Sequence, residues 1–217
     1  EVLSRDEPDA DLAMLAGQLA RYRFLLGDLD GMVEPLEYAV DAAESLILPG
    51  VLSDVLNTKG MFVAQRGKRE EGLGILRHGL ELALENDLTE EALRGYFNLS
   101  FLLGGRDRWA EATASDEAGL ELARRRGNRQ WEESFKSHLL GNGFILGEWD
   151  AAAELPLAEL EETEWDAIPW STRLDYAAPV IIMNVERGRL DIARTILAHV
   201  PTEERAETQE RGSIALG

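Results

Sequence analysis

Across 217 residues, 22 basic side chains stand against 41 acidic ones, a net charge of −19. A field of that sign repels phosphate backbones and anionic lipid, so nucleic acid and membrane are poor candidate partners. Apolar residues make up 45% of the chain, enough for a continuous core. No apolar run approaches the roughly 18 residues of a membrane span. Cysteine is absent, which excludes disulfides and thiolate metal sites and fits a cytoplasmic location. The acidic stretch from Glu1 to Asp11 is unlike a signal peptide and lacks an initiator Met, so the chain is expected to be part of a longer protein.

In chain order, residues 1–11 read as a lead-in, and helix pairs follow. Apolar-periodic stretches run Leu12 to Leu26, Leu52 to Gln65, Ala92 to Leu103, Phe135 to Leu146 and Arg173 to Glu186. Each is followed by a second: Val33 to Leu48, Glu71 to Glu85, Ala110 to Arg126, Ala151 to Leu160 and Ile192 to Val200. Leu, Ala, Glu and Arg dominate these stretches, and all are strong helix formers. No alternation of period two points to a sheet. Between the two helices of each pair a short marker recurs, with first positions Gly27, Gly67, Asp107, Gly147 and Gly188. The steps are 40, 40, 40 and 41 residues. A second marker keeps the period, since Gly79 to Ala83 and Gly119 to Ala123 both read Gly-Leu-Glu-Leu-Ala.

The marker Gly suits a left-handed position that ends the first helix. Asp30, Asp150 and Asp191 then stand where a cap or first-turn acid favours the second helix. Small residues at Gly72, Ala112, Ala152 and Ala193 let the paired helices approach closely. The regular pattern holds to about residue 150. Beyond it Pro156 falls inside a second helix, Trp165 to Trp170 reads as a linker, and Pro179 should kink or delay a first helix.

The third unit, with Tyr96-Phe97-Asn98-Leu99-Ser100 followed by Trp109, Ala112 and Gly119, resembles the tetratricopeptide repeat (TPR) pattern. Gly60, Gly67, Gly72, Leu76 and Gly79 agree with it in the second unit. The usual unit is about 34 residues, so a period near 40 implies longer helices or connections. That longer period is similar to the helical repeats of large bacterial signalling proteins, the LuxR-type regulators and class III nucleotide cyclases. The fold expected is therefore all-α: a right-handed superhelical solenoid of about five helix-turn-helix units. These span about 12–48, 52–86, 91–127, 131–162 and 171–200, with 201–217 a tail that reads as a truncated sixth unit.

The resemblance implies that first helices line a concave face that binds extended peptides or helices. The marker register puts Arg21, Phe24, Asn57, Met61, Phe97 and Phe101 on that face, with His138 and Asn142 in the fourth unit. A competing reading packs Phe24, Phe97 and Phe101 between units. Neither catalytic nor metal signatures are found, and no cofactor is expected. His78, His138 and His199 lie about 60 residues apart without the i, i+4 partner of a helical metal site. The glycine clusters at Leu103 to Arg106 and Gly141 to Gly143 lack the lysine of a phosphate loop. Arg66-Lys68-Arg69, Arg106-Arg108 and Arg187-Arg189 stand at marker turns. They either complement helix C-termini or form a rim for an acidic partner. The expected function is a non-enzymatic protein-interaction scaffold within a larger cytoplasmic signalling or transcription-regulatory protein, its partner a protein, a peptide or another domain of its own chain. The alternative is a sensor that binds a peptide or small molecule in the groove.

Overall fold

A computed structural model describes residues 8–150 and 170–198. Among them all regular structure is helical. The helices are α1 (Ala10–Leu25), α2 (Val33–Ser45), α3 (Pro49–Gln65), α4 (Arg69–Glu85), α5 (Thr89–Gly104), α6 (Trp109–Arg126), α7 (Arg129–Leu146), α8 (Trp170–Glu186) and α9 (Leu190–Ala198). The expected all-α helical-repeat fold is what the chain adopts. It divides into two compact units, Glu1–Leu122 and Ala123–Gly217, with the division in the last turn of α6.

The helix ends follow one rule. Gly27, Gly67, Gly127, Gly147 and Gly188 all have positive φ, and so do Ile47, Asp87 and Asp107. At each, the N–H of the left-handed residue and that of its successor turn back onto the helix. Gly67 N–H donates to the carbonyl of Ala64, and Lys68 N–H to that of Val63, at 3.0 and 3.2 Å. The same pair of bonds recurs at 27–28, 47–48, 87–88, 107–108, 127–128, 147–148 and 188–189. This is the Schellman cap, which satisfies carbonyls left over at a helix end. Left-handed residues therefore stand at 27, 47, 67, 87, 107, 127 and 147. The repeat of 40 is two steps of 20, one helix and one cap each.

First helices begin earlier than their apolar pattern. Pro49 opens α3 in the first turn, where a missing N–H costs nothing. Asp9 and Asn128 cap α1 and α7 through their side chains. Among the described helices that follow a left-handed cap, only α2 starts more than two residues after it, at Val33, following a turn in which Gly31 N–H donates to Asp28 Oδ1. Asp30 consequently lies ahead of the helix rather than on its first turn. Asp191 is a first-turn acid of α9. Pro179 neither delays nor ends α8, which runs through it. The features expected at Ala152, Pro156, 165–169 and His199 lie outside the described residues.

In the first unit α1 to α5 pack each on the next, and α3 also packs on both α1 and α5. The close approach of α3 and α4 comes from two glycines. A Cβ on Gly72 would stand 2.6 Å from the Gly60 carbonyl oxygen and 2.8 Å from Ala64 Cβ, and one on Gly60 2.7 Å from Leu76 Cγ. Leu73 and Leu76 of α4 are fully buried beside this contact, each side chain contributing roughly 1.5–3 kcal/mol. In the second unit Leu140, Ala177, Val180, Met183 and Ile196 form the core. There Trp149 stacks on Phe144 at 5.6 Å and donates to its carbonyl at 2.9 Å.

Candidate functional site: the first-helix face

Because the caps recur every 40 residues, equivalent positions of α1, α3 and α5 fall in line. One such line is Arg21, Met61 and Phe101. Arg21 and Met61 are half-buried, and Phe101 is 62% exposed. Beside this line runs a ladder of polar bonds from helix to helix. Gln18 donates to Asp54 Oδ2 at 3.3 Å, linking α1 to α3. Arg94 of α5 pairs with Asp54 Oδ1 and donates to Thr58 Oγ1 at 2.6 Å. Asn98 donates to Asn57 Oδ1 at 2.6 Å.

Arg94 is buried, and burial pushes its guanidinium down to about 10 despite the pull of Asp54; Arg21 nearby pushes the same way, and Glu91 opposes. It stays charged at neutral pH, so Asp54 serves as a counter-charge inside the stack. Asp54 and Arg94 occupy the same register one repeat apart. Sequence reading passed over this pair, although opposite charges at matching repeat positions were a usable signal.

Not every expected groove residue is on the surface. Asn57 is buried, its amide held by Asn98. Asn142 is buried too; it shares its register with Phe62, which packs in the core, whereas Gly141 is the equivalent of Arg21, Met61 and Phe101. The fourth-unit assignment is thus corrected by one residue. Phe24 is half-buried, packed against the core cluster formed by α1, α2 and part of α3. Phe97 and His138 are half-buried, and His78 is exposed.

The basic marker turns are engaged with neighbouring repeats. Arg106 and Arg108 reach Glu70 at 3.2 and 3.7 Å, Arg69 donates to the Gly105 carbonyl at 3.4 Å, and Arg187 pairs with Asp150 at 2.6 Å. Arg108 also binds Glu111 through two 2.6 Å bonds, which raise the arginine's pKa and lower the carboxylate's. These arginines tie one turn to the next. Of the glycine clusters, Gly104 accommodates a ring: a Cβ there would stand 2.8 Å from Trp109 Cζ3. No cluster of metal-ligating side chains occurs among the described residues, and none of their helices is long and apolar enough to cross a membrane.

No protein-family model matches the chain, and no curated protein does. Solved structures do resemble it. BtubC (BKLC) from P. vanneervenii aligns with a TM-score of 0.69 at 16% identity, over 94% of this chain and 82% of that one. The nearly identical TPR-like repeats of a kinesin light chain candidate from Podosopora anserina align with a TM-score of 0.67, also at 16% identity. They cover 88% of this chain and 95% of that one. At such identity the likeness concerns the fold: the chain has a TPR-like helical-repeat architecture.

Proposed function

We propose that the protein is a non-catalytic interaction module that holds an apolar–polar peptide or helical segment of a partner protein along the first-helix face. The observation that carries this reading is the line Arg21, Met61, Phe101, one side chain per repeat, ending in an exposed aromatic ring. Its backing is already braced: the Gln18–Asp54–Arg94–Thr58 and Asn57–Asn98 bonds use the neighbouring polar groups to fix helix spacing. A preformed face spares a ligand the cost of ordering it. Aromatic and arginine side chains are the usual energetic anchors of such surfaces. The net charge of −19 speeds the approach of basic segments. In this reading the module is a regulatory part of a larger cytoplasmic signalling or transcription-regulatory protein.

The test is a random-peptide display selection on the protein, followed by affinity measurement on Met61→Ala/Phe101→Ala. Loss of an aromatic anchor costs about 2 kcal/mol, roughly thirtyfold in Kd. Selected peptides should weaken by that order, and a Leu84→Ala control on α4 should leave them unchanged. Equal affinity for both proteins would overturn the assignment.

A further inference from the structure

The outer face of α1 is apolar and uncovered. Leu15, Leu19, Tyr22 and Leu26, at spacing i, i+4, i+7, i+11, form one stripe flanked by Met14 and Leu25, and all six are exposed. Leu15 and Tyr22 are 60% and 61% exposed, whereas their equivalents one repeat on, Val55 and Phe62, are 1% and 8% exposed. In α5 the equivalents of Leu15 and Leu19, Gly95 and Leu99, are buried as well, and that of Tyr22, Leu102, is half-buried. What covers them is the preceding helix pair. A Cβ on Gly17 would stand 2.7 Å from Val55 Cγ1, and Val55 and Phe62 share a core cluster with Leu36, Ala39 and Val40 of α2. A Cβ on Gly95 would stand 3.2 Å from Leu80 Cδ1 of α4. The stripe on α1 therefore matches that interface, with no second helix packed on it among the described residues.

Two observations choose the source of that helix. The residues ahead of α1 keep the register: Glu1-Val2-Leu3, an acid followed by two apolar residues, stands where Asp41-Ala42-Ala43, Glu81-Leu82-Ala83 and Glu121-Leu122-Ala123 stand one, two and three repeats on. A second copy of the chain is a poor occupant, since two bodies of charge −19 repel. The matching faces of its α2 and α4 are also already packed under α3 and α5. We propose that the Leu15–Leu19–Tyr22 face of α1 is a stacking surface that receives the second helix of a further helix pair, joined ahead of α1 in the same polypeptide. That helix carries the small-and-leucine pattern seen at Leu36, Ala39 and Val40 and at Leu76, Gly79 and Leu80. The surface is separate from the first-helix line proposed for partner binding, so either assignment can fail without the other.

The probe is an extended chain in which residues 49–80 are joined ahead of Glu1, which preserves the 40-residue register. Hydrogen–deuterium exchange of α1 should slow at least about tenfold relative to the unextended chain, because its amides then open only with the stacked pair. Leu19→Glu/Tyr22→Glu in the extended chain should abolish that protection. In the unextended chain the same double variant should leave helicity and the exchange of α3 to α5 unchanged, since both side chains are exposed. Unchanged α1 exchange in the extended chain, or protection that survives the two glutamates, would overturn the proposal. So would a doubled mass of the unextended chain in light scattering that Leu19→Glu reduces to a monomer, because a second copy would then be the occupant.

Discussion

Replacing Ile47 by glycine removes a side chain that is 85% exposed from a residue whose φ is +53°. A β-branched residue is poorly suited to this conformation, and the left-handed region costs an ordinary residue about 1–2 kcal/mol. Glycine escapes that cost but has more freedom to lose on folding, which returns about 0.4–1 kcal/mol. The net expectation for Ile47→Gly is a gain of roughly 0.5–1 kcal/mol. For a chain of this size that is a rise of about 1–4 °C in Tm. Two controls fix the cause. Leu46→Gly, at a neighbouring residue with φ −93°, should lower stability, because no strain is relieved there. Gly67→Ala, at φ +90° with open space around it, should lower it by about 1 kcal/mol. Circular dichroism through thermal and urea unfolding reads all three. A fall in stability for Ile47→Gly together with a neutral Gly67→Ala would refute the claim that a left-handed cap every 20 residues sets the repeat.

Three further outcomes are expected. Gly72→Ala drives a methyl into the Gly60 carbonyl and should destabilise by about 1–3 kcal/mol, whereas Gly74→Ala, on the open face of the same helix, should stabilise by about 0.5–1 kcal/mol; urea midpoints decide both. Asp54→Ala strands the buried Arg94 charge and should cost about 3 kcal/mol, most of it recovered in Asp54→Ala/Arg94→Met; a double-mutant cycle without coupling would remove the pair from the account. Glu70→Ala breaks only exposed ion pairs, so its Tm should stay close to that of the parent chain at high salt, where such pairs are screened.

Much of the architecture was legible because the marker glycines report a backbone requirement directly. Gly27, Gly67, Gly147 and Gly188 stand where only a left-handed cap needs them, and Asp107 fills the same place in the third unit. The intervening caps were hidden. Ile47 carries no residue-type signal for positive φ, Asp87 only a weak one, and Gly127 alone is too little to show a period, so the step of 20 emerged only from the backbone. Helix starts were late in the reading because first turns such as Thr89-Glu90-Glu91 and Arg129-Gln130 are polar and lack the apolar rhythm. On the candidate face, residue type misled at Asn57 and Asn142. A polar side chain suggests solvent, but a repeat can bury one wherever a neighbouring helix supplies a partner, as Asn98 does for Asn57. Phe24 shows the converse, an aromatic residue drawn into the core.

The central claim is that the first-helix face, and no other surface, holds the partner. A hydrogen–deuterium exchange footprint of the protein with a display-selected peptide tests it most directly. The account predicts slowed exchange in α1, α3 and α5 around Arg21, Met61 and Phe101, with α2 and α4 unchanged. Protection confined to the second helices, or to the marker turns around Arg106 and Arg108, would contradict it.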